Sequence, residues 1–278
     1  MSGATEGVVV VTGAGGALGR SVVTLFLEQG YHVAALDRSE QALQDASATW
    51  KEQGLDQFHL AACDQTDRSQ VDAAMSQAVA EHGPLIGVVA NAGYAKFGSF
   101  LDMPARDWER HVDVNLTGTF HVCQSGAQQL AQARNGGWIT VISSGLALYH
   151  SDQVSAYCTT KAALLTMVRS AAAELGVHRI RVNAVLPGVI DTAMTRGMLE
   201  QDGVRDGVLA KTPLGRLGTE SDITEVVQFF ASNAAEWVTG ATLLADGGQS
   251  LYGQPTWTTQ DRRIPHEPTW GPGYAAAP

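Results

Sequence analysis

The sequence is poor in the features that mark secreted, membrane-spanning and nucleic-acid-binding chains. It holds three cysteines in 278 residues. Cys63, Cys123 and Cys158 are odd in number and widely spaced, which suits neither a disulfide framework nor a CxxC metal or redox motif. A reducing, cytoplasmic setting is expected. Positive charge is also scarce: 18 Lys and Arg against 28 Asp and Glu leave a net charge of −10, so the electrostatic footprint of a nucleic-acid or anionic-lipid partner is missing. No apolar run approaches the roughly 18 residues that a membrane helix needs. Met1 to Gly7 lacks the basic-then-apolar order of a secretion signal. The eight histidines form no HxxxH or HExxH, and His59 and Cys63 sit too far apart along a strand to act as a pair, so no metal is expected.

What is present is a core-forming chain, 45% hydrophobic and 17% charged. It opens with Val8, Val9, Val10 and Val11, apolar at every position as in a strand covered on both faces. Further strands are predicted at His32 to Asp37, Phe58 to Asp64, Ile86 to Asn91, Trp138 to Ser144, Arg181 to Leu186 and Thr242 to Asp246, with helical patterns between most pairs. In Gln70 to Glu81, for example, Val71, Ala74, Met75, Ala78 and Val79 recur at helical spacing. Seven strands alternating with helices imply right-handed βαβ crossovers, hence a single doubly wound α/β domain of Rossmann type over residues 1–250, with ligands at the carboxyl ends of the strands. Five of the nine prolines fall in the last 24 residues, among Tyr252, Trp257, Trp270 and Tyr274. Residues 251–278 are therefore expected to be a separate extension, either frayed or an arm docked on its own or a neighbouring subunit.

Between the first strand and its helix lies Thr12-Gly13-Ala14-Gly15-Gly16-Ala17-Leu18-Gly19. Glycines there allow a tight turn and let backbone N–H groups at a helix N-terminus approach a pyrophosphate. The loop does not match GxGxxG, since Leu18 stands where the third glycine would fall. Support comes from Asp37, which ends the second strand 18 residues after Gly19. A carboxylate near that spacing accepts hydrogen bonds from a free ribose 2′-hydroxyl and repels a 2′-phosphate, so NAD is the expected cofactor; the adjacent Arg38 works against that repulsion.

Tyr157 and Lys161 stand four residues apart on one face of a helix predicted over Ser155 to Leu175. An ammonium beside a phenol favours the phenolate and is expected to lower the tyrosine pKa. Thirteen residues earlier, Ser144 closes the fifth strand, where a hydroxyl can bond the oxygen of a bound carbonyl or cap a turn. Asn115 is polar within an apolar helical pattern.

Together these residues resemble the short-chain dehydrogenase/reductase family over about residues 6–250. The family's Thr-Gly-x-x-x-Gly-x-Gly loop corresponds to Thr12 through Gly19, its Asn-Ala-Gly to Asn91, Ala92 and Gly93, and its Ser-Tyr-Lys set to Ser144, Tyr157 and Lys161; the helical asparagine is Asn115 and the Pro-Gly turn is Pro187-Gly188. The resemblance implies a cofactor surface made by Gly13, Gly16, Ala17, Leu18, Gly19, Asp37, Asp64 at the adenine, Asn91 to Gly93, Tyr157, Lys161, Pro187, Gly188, Ile190 and Thr192, the last two holding the carboxamide. It also implies catalysis by Asn115, Ser144, Tyr157 and Lys161, with Asn115 helping to hold a water, and a dimer or tetramer. Two departures stand out: Ala17 replaces the loop's second glycine, and Ala90 the first asparagine of Asn-Asn-Ala-Gly.

The expected activity is hydride transfer between NAD(H) and a hydrophobic, cyclic or aromatic secondary alcohol or ketone. The segments flanking the pocket carry Phe97, Leu146, Leu148, Tyr149, Met194, Met198 and Leu199 and no cluster of cations. An NADP-linked ketoreductase and a non-catalytic dinucleotide-binding regulator are the alternatives.

Overall fold

The computed structural model describes residues 7–251. Of the aromatic, proline-rich extension read over residues 251–278, only Leu251 is among the described residues; residues 252–278 lie outside them, as do residues 1–6. Seven parallel strands run β1 (Val8–Thr12), β2 (His32–Asp37), β3 (Phe58–Ala62), β4 (Leu85–Ala90), β5 (Gly137–Ile142), β6 (Ile180–Pro187) and β7 (Thr242–Ala245), in the spatial order β3-β2-β1-β4-β5-β6-β7. The chain therefore starts in the middle of the sheet and winds outward twice, reversing between β1 and β4. Such a reversal opens a crevice at the carboxyl ends of those two strands.

Helices cover both faces. They are α1 (Ala17–Glu28), α2 (Glu40–Glu52), α3 (Arg68–His82), α4 (Ala105–His111), α5 (Thr119–Ala133), α6 (Ser155–Leu175), α7 (Ala193–Leu199), α8 (Val204–Ala210) and α9 (Glu220–Ala231). The unbroken valine run of β1 is divided by the pleat. Val9 and Val11 pack with Val22, Val23 and Phe26 of α1, Leu43 and Trp50 of α2, and Ile223 and Phe230 of α9. Val8 and Val10 pack with Val71 and Met75 of α3, Val122 and Leu130 of α5, and Leu164 and Val168 of α6. Alternate side chains of one strand thus bury against opposite layers, which is why no polar position survives in it. Side chains start several of the helices: Ser39 accepts from the Ala42 amide at 3.2 Å, and Asp67 from the Ser69 amide at 2.9 Å.

Two predicted strands overrun the real ones by two residues at their carboxyl ends, for local reasons. The strand expected to reach Asp64 stops at Ala62 because the Asp64 carboxylate turns back to accept from the Thr66 amide at 2.9 Å and its hydroxyl at 2.8 Å. The strand expected to reach Ser144 stops at Ile142, where Ser144 caps a short 3₁₀ turn over Gly145–Ala147. The helical pattern around Asn115 is a π-helical turn, Val112–Gly118, joining α4 to α5. An i→i+5 turn of this kind rotates one side chain off the regular helical spiral.

Candidate active site

The crevice between β1 and β4 is a cleft of about 430 Å³. Its floor is the glycine-rich turn. Gly13 adopts φ +66°, and a methyl group added there would lie 2.8 Å from the Ala92 Cα. At Gly19, in the first turn of α1, an added methyl would lie 2.0 Å from the Gly13 carbonyl oxygen, so the turn closes only without a side chain at that point. Helix α1 begins behind Gly16 with no side-chain cap and no acidic residue in its first turn. Its N-terminal dipole is therefore left for an anion in the cleft. Ala17, the departure from the family loop, is the first residue of that helix and lines the cleft without breaking the turn.

The turn is fixed to its neighbours. Thr12 Oγ1 accepts from the Asn91 and Ala92 amides at 3.1 and 3.2 Å, and Asn91 Nδ2 donates back to the Thr12 carbonyl at 3.0 Å. Asp37 Oδ2 accepts from the Gly15 amide at 3.1 Å, while Oδ1 takes the Ser39 amide at 2.9 Å. The acid at the end of β2 is therefore oriented by the loop it was expected to serve with. Arg38 is exposed and also lines the cleft.

At the other end of the cleft stand Ser144, Tyr157 and Lys161. Lys161 is 4% exposed and Nζ donates to the Ile142 carbonyl at 2.8 Å, so its position is set by the end of β5. Burial lowers its pKa from 10.5 to about 8. Ser143 Oγ donates to the Lys161 carbonyl at 2.9 Å, joining α6 to the same strand end. The expected lowering of the Tyr157 pKa is corrected here. Burial raises it, and the hydrogen bond with Ser144 only partly opposes that. Lys161 Nζ lies 5.6 Å from the Tyr157 ring centre and donates to a backbone carbonyl, so it makes no direct hydrogen bond to the phenol.

Every residue expected at the cofactor, from Gly13 to Thr192, lines this one cleft, as do Ser144, Tyr157 and Lys161. Asn115 does not. It is fully buried in the π-helical turn; Oδ1 accepts from the Tyr94 amide at 2.7 Å, and Nδ2 donates to the Tyr94 carbonyl at 2.8 Å and to Thr160 Oγ1 at 3.2 Å. Its side chain pins the loop after Gly93 to α6. A methyl group on Gly93 would be 3.5 Å from both Asn115 Oδ1 and Lys161 Nζ.

Lining residues given no role from the sequence include Gln65, Arg110 and Thr195. Gln65 Nε2 donates to the Val114 carbonyl at 2.8 Å and the Ala92 carbonyl at 3.3 Å, bracing two walls. Thr195 Oγ1 donates to the Ile190 carbonyl at 2.5 Å and accepts from the Thr192 amide at 3.1 Å, fixing the start of α7. Only Thr195 had a sequence signal, its place three residues after Thr192 as in a capping box. Of the apolar residues expected around the substrate, Leu199 is buried in packing, while Phe97 and Leu148 are about half exposed.

A doubly wound sheet with this turn and this uncapped helix defines a dinucleotide-binding oxidoreductase fold. A family model described as enoyl-(acyl carrier protein) reductase matches residues 13–250. The chain is 36% identical over 241 residues to an L-rhamnose 1-dehydrogenase (NAD(P)(+)) of Sphingomonas, covering 86% of this chain and 94% of that protein. It is 38% identical over 248 residues to a mouse (3R)-3-hydroxyacyl-CoA dehydrogenase, with the same two coverages. The structure of a short-chain type dehydrogenase/reductase from Mycobacterium ulcerans superposes with a TM-score of 0.85 at 30% identity, covering 89% of this chain and 90% of that one. The chain belongs to the short-chain dehydrogenase/reductase family and is an oxidoreductase of the nicotinamide-dinucleotide type.

Proposed function

We propose that this protein interconverts a hydrophobic secondary alcohol and its ketone with NAD(H), using Ser144, Tyr157 and Lys161. The observation that carries the reading is that these three side chains and the Gly13–Gly19 turn line one continuous cleft. The dinucleotide fits this chain: its pyrophosphate suits the N-terminus of α1, its adenosine hydroxyls the Asp37 carboxylate, and its nicotinamide end the wall of Pro187, Gly188, Ile190 and Thr192. When bound, the nicotinamide ring supplies the two-electron acceptor for the hydride on the alcohol carbon.

The chain's own residues handle the proton. In reduction, Tyr157 Oη gives its proton to the carbonyl oxygen while the Ser144 hydroxyl donates a hydrogen bond to the same atom. In oxidation, Tyr157 takes that proton back. A phenol held up by burial keeps its proton at neutral pH, which suits the acid role. Reduction therefore runs readily near neutrality, and oxidation gains with rising pH. Lys161 places positive charge near the phenol, and Asn115 holds the loop and helix between which the pair sits.

The apolar substrate follows from cations that are already occupied. Arg110 lies over the Tyr94 ring at 5.2 Å, Lys96 Nζ is 2.7 Å from Asp107 Oδ2, and His111 has both ring nitrogens engaged, at 2.7 Å to the Asp107 carbonyl and 3.2 Å from the Lys96 amide. Little positive charge is left for a carboxylate or phosphate on the substrate.

The test is initial rates with NAD and with NADP on a panel of hydrophobic secondary alcohols, followed by absorbance of the reduced cofactor. NAD should give the higher kcat/KM. Tyr157→Phe should lower turnover by about 10²–10⁴-fold while NADH affinity stays within about threefold. A preference for NADP would point to Arg38 as the stronger neighbour, and near-normal turnover in the variant would remove Tyr157 from the proton step.

A further inference from the structure

At the opposite end of the sheet, three histidines come together that sequence spacing keeps apart. His32 is the first residue of β2 and His59 the second of β3; both project to the face covered by α3, because Ala34, which pairs with His59, packs in that layer. Helix α3 ends there with Glu81 and His82. The His59 Nδ1 to Glu81 Oε2 distance is 3.1 Å and the His82 Nε2 to Glu81 Oε2 distance is 3.7 Å. One nitrogen, one oxygen and one nitrogen, from three side chains, all lie within 4.8 Å of one another.

We propose that His59, Glu81 and His82 bind a single divalent transition-metal cation of the zinc class, at the amino end of the sheet and separate from the reaction cleft. Donor atoms of a tetrahedral zinc ion stand about 3.4 Å apart when each bond is near 2.1 Å, and the two short separations bracket that value. The donor set of two imidazoles and one carboxylate is one that zinc accepts, with a water in the fourth position. Magnesium and calcium prefer oxygen ligands.

Two further observations support the assignment. First, the carboxylate is braced: Gln77 Nε2 donates to Glu81 Oε1 at 2.9 Å, leaving Oε2 to face the imidazoles, as outer partners orient ligands in metal sites. Second, His82 Nε2 is buried with no hydrogen-bond partner, and so are His59 Nε2 and His32 Nδ1. Buried imidazole nitrogens ordinarily find a partner, and a cation would satisfy the one on His82. The His32 ring stacks on His82 with centroids 5.3 Å apart and holds that side chain in place. A bound cation would tie the end of α3 to the edge strand β3.

The experiment uses the untagged full chain, stripped with EDTA and desalted, then titrated calorimetrically with Zn²⁺ and separately with Mg²⁺. The expected result is one zinc per chain with Kd of about 1 μM or tighter, no response to Mg²⁺, and a thermal midpoint raised by about 5 °C at 100 times Kd. His82→Ala and His59→Gln should each weaken zinc binding at least about tenfold; NADH titration of both variants checks that they are folded. Absence of 1:1 binding at tens of micromolar zinc overturns the proposal. So does binding of equal strength in the folded variants, which would put the ion elsewhere on the chain.

Discussion

The two ends of the β-sheet are built from the same strands to opposite rules. At the carboxyl end, polar side chains bond one loop to the next: Thr12 to Asn91 and Ala92, Asp37 to Gly15, Lys161 to Ile142. The N-terminus of α1 is left without a side-chain cap, facing the cleft. At the amino end, turns close directly onto the strands, with the Val8 amide donating to Pro84 and that of Gly137 to Arg179, and the space is filled by aromatic rings. Trp138 stacks on Phe26 with centroids 5.5 Å apart and lies over Gly87. One end keeps its polar groups in place for a ligand, and the other, around Trp138, is closed by packed rings. Substitutions at the two ends should therefore separate binding from stability.

The largest break in that pattern is expected at Gly19. An alanine there puts a methyl 2.0 Å from a backbone oxygen, and the turn has no flexible side chain that could yield. Gly19→Ala should weaken NADH binding more than 100-fold and lower stability by about 3 kcal/mol or more. Gly16→Ala is the control, because its methyl would meet nothing nearer than 3.4 Å; its NADH affinity should stay within about tenfold. Fluorescence titration and thermal melts of the pair check this. Equal behaviour would show that the turn can be rebuilt around a side chain.

The amino end gives the complementary case. Trp138 is 7% exposed, and truncation to alanine leaves a cavity beside Phe26 and a bare Gly87. Trp138→Ala should cost about 3–5 kcal/mol by denaturant titration, with NADH affinity and KM unchanged in the folded fraction. A change in KM would mean that packing at this end is transmitted to the cleft.

The sequence was most legible where backbone geometry forces a residue type. The valine run of β1 can only be a strand covered on both faces, and the Thr12–Gly19 segment can only close with glycine at its tightest contact, so both were readable from residue order. Ser155 to Leu175 reads as a helix, and α6 has those bounds. Side-chain roles that depend on distant partners were less legible. The Tyr157–Lys161 spacing places both on one face but does not show that Lys161 is drawn 2.8 Å from a β5 carbonyl, nor that burial raises the phenol pKa against the opposing hydrogen bond from Ser144. Gln65 and Arg110 gave no local signal, because what makes them part of the cleft is contact with segments 27 and 49 residues away for the first and with the Tyr94 ring for the second. The histidine cluster is of the same kind: β2, β3 and the end of α3 meet only in the fold, so a search for short metal motifs passes over it.

The smallest expected effect sharpens the contrast by running against the usual sign, since it concerns a residue held at the carboxyl end at a cost to the fold. Lys161 is buried with its pKa lowered to about 8, against 10.5 in the unfolded chain. Between those values the unfolded state binds more protons, so stability rises with pH across the window. The penalty is fully present below pH 8 and absent above about 10.5. A difference of that size corresponds to about 3 kcal/mol; loss of the bond to the Ile142 carbonyl on substitution returns about 1 kcal/mol of it. Lys161→Met should therefore raise the thermal midpoint at pH 7 by about 3 °C, while turnover falls at least about 100-fold. The gain should shrink steadily from pH 8 to 10.5, because the wild-type amine becomes neutral over that range and the methionine does not titrate. Melts of both proteins at pH 7, 9 and 10.5 decide the matter. A midpoint lowered at pH 7 would show that the bond to Ile142 outweighs desolvation, and that this end of the sheet holds its lysine without cost to the fold.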